Sequence, residues 1–145
     1  MQAAEELRRA FPKAIGPHKL THVWAYKYQS EMAGIATHAD AAAVNVNVWI
    51  TPTEANLDPD SGGLVVFKVL PPRGWSWEVA GRGKRAEVEA LVAKDSANNW
   101  TVPYARNRAV VFDSALFHKT DDFRFKGGYK NRRINLTFLL SLIHI

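Results

Sequence analysis

Five histidines, seven aspartates and no cysteine set the chemistry open to this chain of 145 residues. Without a thiol there is no disulfide framework, thiolate zinc site, iron–sulfur cluster or cysteine nucleophile. Of the histidines, His18 follows a proline and His22 opens a strand-like run, which is ordinary for surface positions. His38 stands two residues before Asp40 in THAD. At this composition a His-x-Asp arises by chance roughly one time in four. The pair carries weight only through its surroundings. On an extended segment, residues at i and i+2 point the same way, so His38 and Asp40 present an imidazole and a carboxylate together. His118, eighty residues on, follows another strand-like run and can supply a second imidazole. Two imidazoles and one carboxylate on one face of an octahedral metal leave positions open for further ligands, the arrangement suited to iron(II). Zinc accepts the same donors, but HExxH is absent and no general base stands beside them.

The elements that must position these groups are mostly strands. Residues 3–11 place Ala3, Ala4, Leu7 and Phe11 on one helical face, closed by Pro12. From Leu20 the chain turns to branched and aromatic runs at 20–28, 43–50, 63–70, 100–104, 108–113 and 132–140, parted by turn-forming segments such as 51–63, 71–74 and 126–131. One further helix is expected at 83–95, burying Ala86, Ala90, Leu91 and Val88. Many short strands with one inserted helix point to a mainly β fold, a jelly roll of the cupin-like, double-stranded β-helix kind.

Strand alternation also sorts the candidate pocket residues. In RRINLTF, Arg133, Asn135 and Thr137 share one face and Arg132, Ile134, Leu136 and Phe138 the other. Either the polar set lines a cavity while the apolar set packs outside under a helix, or the polar set faces water. Along AVNVNVWI, Asn45, Asn47 and Trp49 point one way and the valines the other; Asn47 and Trp49 are the candidates for lining a cavity. Tyr28, ten residues before His38, can bring a hydroxyl to the same cavity or pack as an aromatic, and packing suits Tyr26. Gly62-Gly63 reads as a turn, Asp113 as a turn residue, and Asp121-Asp122 as a solvated loop.

Taken in order, the aromatic strand, His38-x-Asp40, VWIT, the Gly-Gly strand, His118 and the late Arg133-x-Asn135 resemble the iron(II)- and 2-oxoglutarate-dependent oxygenases over about residues 20–139. The resemblance implies a double-stranded β-helix core, iron(II) on His38, Asp40 and His118, and 2-oxoglutarate held chiefly by Arg133, whose planar guanidinium fits a carboxylate with two prongs. It also implies oxidative decarboxylation of 2-oxoglutarate to succinate and CO2 with O2, coupled to hydroxylation of a substrate. RINLTF is similar to the matching string of AlkB-type demethylases, in which the Arg and the Asn both contact the cosubstrate, so Asn135 would support Arg133. That subfamily has a second arginine where this chain has Leu139. VWITP before a Gly-Gly strand looks like the phytanoyl-CoA-type hydroxylases of small metabolites.

A small-molecule substrate is therefore expected. The rivals are AlkB-like nucleic-acid demethylation and a non-catalytic cupin-like binding domain. The charge of +5 favours an anionic partner, yet only 37 residues precede His38, little room for a base-gripping lid. No run reaches the roughly 18 apolar residues of a membrane span, and no secretory signal opens the chain; a cytoplasmic protein without membrane contact is expected. One domain is expected over 1–139, and so small a core would gain cover by forming a homodimer. LSLIHI, 140–145, reads either as the translated end of a sequencing adapter, which would make the source a metagenomic assembly and set His144 aside, or as a natural apolar strand end.

Overall fold

The computed structural model describes residues 2–30 and 32–142. Its elements are α1 (Gln2–Ala10), β1 (Lys19–Lys27), β2 (Val44–Trp49), β3 (Leu64–Phe67), α2 (Trp77–Gly81), α3 (Arg85–Lys94), β4 (Asn99–Val102), β5 (Ala109–Asp113), β6 (His118–Thr120) and β7 (Ile134–Ser141). Two antiparallel sheets form, ordered β1-β7-β2-β5 and β4-β3-β6. This is the mainly β, cupin-like architecture expected from the strand pattern. No described helix is long and apolar enough to cross a membrane.

The sheet of four is two-faced because β2 and β7 alternate in phase. Asn47 pairs with Thr137 and Trp49 with Asn135, while Val46 pairs with Phe138 and Val48 with Leu136. The apolar set packs outward: Val46, Phe138 and Leu140 form a cluster with Ile15, completed by Leu7 of α1 and by Leu20, Val48 and Leu136. The N-terminal helix thus covers the outer face, and at roughly 25 cal/mol per Å2 of apolar surface removed from water this cover stabilises the sheet. Inside, the polar set is buried as well, with Asn45, Asn47, Arg133, Asn135 and Thr137 all shielded from solvent. Of the two readings of RRINLTF, burial of the polar face is the one realised.

Two expectations need correction. The insert between β3 and β4 holds, besides the expected helix, present as α3, a second short helix, α2, whose start is capped by the Ser76 hydroxyl accepting from the Val79 amide. Within α3 the buried residues are Val88 and Val92, Leu91 is half-buried, and Ala86 and Ala90 are exposed; the helix rests on Phe67 and Phe117 through its valine edge. Strand β6 was not evident in the sequence, since HKT has neither length nor alternation. The run expected at 132–140 is present as β7, which ends at Ser141; Leu140 is fully buried and pairs with Leu20 and Val44. Residues 143–145 of LSLIHI, including His144, lie outside the described residues.

Candidate metal centre and its cavity

Backbone pairing between distant segments builds the site. His38 and His118 form an antiparallel bridge, exchanging amide hydrogen bonds of 3.0 and 2.8 Å. The side chains of bridged residues lie on the same side, and their ring centroids are 4.3 Å apart. Asp40 is fixed next to them: its amide donates to the Ser114 carbonyl at 3.1 Å, and that of Ala39 to the Ala80 carbonyl of α2 at 3.2 Å. One donor atom from each of His38, Asp40 and His118 lies within 4.8 Å of the others, so the three could hold a metal ion. The Asp40 carboxylate reaches both imidazoles, 3.6 Å from His38 Nε2 and 3.3 Å from His118 Nε2.

The ring nitrogens are assigned by their neighbours. Nδ1 of His38 faces the Ala36 carbonyl at 2.8 Å, and Nδ1 of His118 faces that of Leu116 at 2.9 Å. A carbonyl only accepts, so each Nδ1 carries the proton and each Nε2 keeps a lone pair for a metal. Burial, followed by the nearby His118 ring, holds the His38 pKa below its ordinary 6.5. For Asp40, burial alone would raise the pKa; hydrogen bonding to His118, the charges of both histidines and a hydrogen bond from Asn45 outweigh it and hold it below the usual 3.8. A lowered His38 pKa favours its neutral imidazole and a lowered Asp40 pKa its carboxylate, the forms that a divalent metal requires of these two residues.

Arg133 stands in the same cavity, 2% exposed. Its Nε donates to the Gly62 carbonyl at 2.8 Å, Nη2 to the Gly63 carbonyl at 2.9 Å, and Nη1 to Asn135 Oδ1 at 3.0 Å. Three rings surround the guanidinium, Tyr28 at 5.1 Å, Phe123 at 5.3 Å and Tyr104 at 5.9 Å. Burial pulls its pKa down to about 10, so it stays charged at neutral pH. Among the described residues it has no ion pair, and Asp121 acts on it only from a distance. A buried cation without a counter-ion is costly. A carboxylate ligand would offset that cost, and two of the five guanidinium N–H groups remain for it.

A head-to-tail chain of amides joins Arg133 to the metal donors. Arg133 donates to Asn135, the Asn135 amide to Asn47 Oδ1 at 3.1 Å, the Asn47 amide to Asn45 Oδ1 at 2.8 Å, and the Asn45 amide to Asp40 Oδ2 at 2.9 Å. Thr137 braces it with a 2.9 Å bond to Asn47 Oδ1. Every link points its donor toward Asp40, so the bonds polarise one another in one direction, from guanidinium to carboxylate.

The cavity, about 430 Å3, is lined by His38, Asp40, His118, Arg133, Asn47 and Asn135, with Thr37, Thr120, Trp24 and Tyr26 among its other walls. Two expected wall residues lie elsewhere. Trp49 is fully buried and packs on Tyr104 beside Ala55, in the core beyond the end of the cavity. Tyr28 is buried behind Arg133, edge-on to Phe123, its hydroxyl without a hydrogen-bond partner among the described residues. Tyr26, expected to pack, lines the cavity instead. The end-of-strand Asp113 does close a turn, accepting from the Ala115 amide. Gly62 and Gly63 do more than turn: Gly62 has φ +81°, and a Cβ on Gly63 would sit 1.9 Å from the Val102 carbonyl oxygen. Only glycine brings both carbonyls to the guanidinium. The role of Asn45 as partner of Asp40, and the presence of Arg82 and Arg85 in the cavity wall, were also missed. The alternation of VNVNVW hinted at the first; the second has no sequence signal.

No protein-family model matches the chain, and neither does any curated protein. Solved structures do. EvdMO1 superposes with a TM-score of 0.59 at 14% identity over 94% of this chain. HygX from Streptomyces hygroscopicus, with iron bound, superposes with a TM-score of 0.57 at 12% identity over 97%. The chain spans 30% of the length of EvdMO1 and 66% of that of HygX. At such identities the likeness is one of fold: this chain shares its architecture with a protein solved with iron bound and carries a His–Asp–His group able to hold a metal.

Proposed function

We propose that the chain is an iron(II)- and 2-oxoglutarate-dependent oxygenase domain that hydroxylates a small molecule. The observation that carries this reading is the pairing, across one cavity, of a His38–Asp40–His118 donor set with a buried, counter-ion-free Arg133. The donor set suits ferrous iron, with two neutral nitrogen donors and one carboxylate. The guanidinium suits the distal carboxylate of a dicarboxylic oxo-acid. When bound, iron and 2-oxoglutarate supply the oxidising power, O2 giving one oxygen atom to succinate as CO2 leaves and the other to the substrate.

The protein's own residues bind and orient. His38, Asp40 and His118 would hold the metal, and the Ala36 and Leu116 carbonyls keep both imidazoles turned toward it. Arg133, locked by Gly62 and Gly63, would set the direction in which the oxo-acid lies. The amide chain keeps Asp40 ionised and aimed by giving it a donor that holds no titratable proton. Leu64 and Ile35 add apolar wall to the cavity, limiting stray water around the reacting atoms.

The test is spectroscopic. Anaerobic protein mixed with ferrous iron and 2-oxoglutarate should develop a broad visible charge-transfer band, and admitting O2 should release succinate. A protein that binds zinc tightly but gives neither band nor succinate would retain a metal site and lose the proposed chemistry.

A further inference from the structure

The cavity wall carries two arginines that the metal and the cosubstrate leave unused. Arg82 lies in the link between α2 and α3, and Arg85 in the first turn of α3. Neither makes an ion pair among the described residues, and Asp40 is the one carboxylate in the wall. The charges can be followed inward. A ferrous ion and Arg133 are balanced by Asp40 and the dianion of 2-oxoglutarate, so the inner cavity comes to neutrality with Arg82 and Arg85 left over. Arg85 is also placed against the helix macrodipole, which disfavours a cation in the first turn. Local helix energetics therefore gives no reason for it.

The position of this pair is built into the fold. The amides of Arg82 and Gly83 both donate to the Glu78 carbonyl, at 2.9 and 3.0 Å. A Cβ on Gly83 would come within 3.0 Å of the Val79 Cα, so the link is packed tightly against its own helix. The same helix is tied by Ala80 to Ala39, the residue between two metal donors. Arg82 is thus indexed to the triad. From the other sheet, Trp24 and Tyr26 of β1 complete the wall, pairing with Thr137 and Asn135 on the inner face. Trp24 stays 38% exposed and stacks on His22 at 5.4 Å, an apolar surface presented to whatever enters. Thr37, 7% exposed, also lines the cavity, its hydroxyl without a partner among the described residues.

We infer that Arg82 and Arg85 select the substrate: a small molecule with an anionic group, phosphate or carboxylate, on a flat ring, the anion on the arginines and the ring against Trp24 and Tyr26. This rests on the oxygenase reading for the inner charge balance.

Phenyl phosphate, benzoate and benzyl alcohol, matched in ring and differing in charge, are the probes, their binding followed by NMR line width. Titrations run with ferrous iron and 2-oxoglutarate under nitrogen, and again without either. The charged probes should bind about tenfold more tightly than the alcohol, phenyl phosphate against benzoate reporting which anion is preferred. The double variant Arg82→Gln/Arg85→Gln should erase that preference while keeping the charge-transfer band, and Trp24→Ala should weaken all three probes alike. Equal binding of the alcohol, or an unchanged preference in the double variant, overturns the inference. So does tight, arginine-dependent binding of a short single-stranded oligonucleotide, which would make the ligand a nucleic acid. A missing band in the wild-type protein removes the oxygenase reading alone: without iron or cosubstrate Arg133 is open to the anionic probes in wild type and double variant alike, so the difference between the two still judges Arg82 and Arg85.

Discussion

The two ends of the cavity hold their polar groups by different means. At the metal end distant backbone pairing brings the donors together, but the orientation of each imidazole is local, each ring being turned by the carbonyl two residues before it. At the anion end Arg133 is held by Gly62 and Gly63, 71 and 70 residues earlier in the chain. Orientation at the first end follows from short-range backbone geometry, whereas at the second it exists only once two sheets have met. Perturbations should therefore separate the ends, and the amide chain between them sets how far each feels the other.

The sharpest break is expected from His118→Ala. Removing one of three donors should lower ferrous or cobalt affinity by at least about 100-fold, read by metal titration, while Arg133 remains in place. A variant that still binds metal normally would dissolve the contrast at its metal end. Next in size, Arg133→Ala should weaken 2-oxoglutarate by about 100-fold, as expected for truncating a buried charge-assisted pair, with metal affinity little changed. Arg132→Ala is the control, because Arg132 lies outside the cavity beside Tyr129; equal losses in the two variants would mean the guanidinium does not receive the ligand.

Acid should act on the metal end first. His38 binds metal only as the neutral imidazole, and its pKa lies below 6.5, chiefly through burial. Neutral imidazole therefore persists above that value and is lost as the pH falls through the lowered pKa. Metal affinity should be level above about pH 7 and fall as the pH drops through the lowered His38 pKa, by less at about pH 5 than the roughly thirtyfold an unshifted imidazole would show, with Arg133 charged throughout. Affinity that rises on acidification would reverse the assignment. The smallest effect is expected at the joint: Asn45→Ala removes the amide donor to Asp40 and leaves Asn47 without its acceptor. Metal affinity should fall about tenfold, and 2-oxoglutarate affinity by less. Equal losses at both ends would show that the amide chain couples them tightly.

How much of this was legible varies with the range of the interaction. His38-x-Asp40 could be read because i and i+2 on extended chain share a face. The paired faces of β2 and β7 could be read because alternation has a period of two. Strand β6 was hidden because three residues carry no period, although it positions His118. Trp49 had the right parity for the cavity, but parity does not say how far along a strand the cavity extends. The inserted helices were misread because Ala86 and Ala90 satisfy helical spacing as well as Val88 and Val92 do, and only packing on Phe67 and Phe117 chooses between the edges.

By itself the sequence determined the donor types, the absence of thiol chemistry and the two-faced strands, since each is set by residue identity and by the repeat of an extended backbone. Tertiary structure alone decided that His38 bridges His118, that glycine carbonyls clasp Arg133, and that Arg82 and Arg85 reach the same cavity. Those contacts join segments far apart along the chain, and their geometry is fixed only when the sheets close and bury the groups between them.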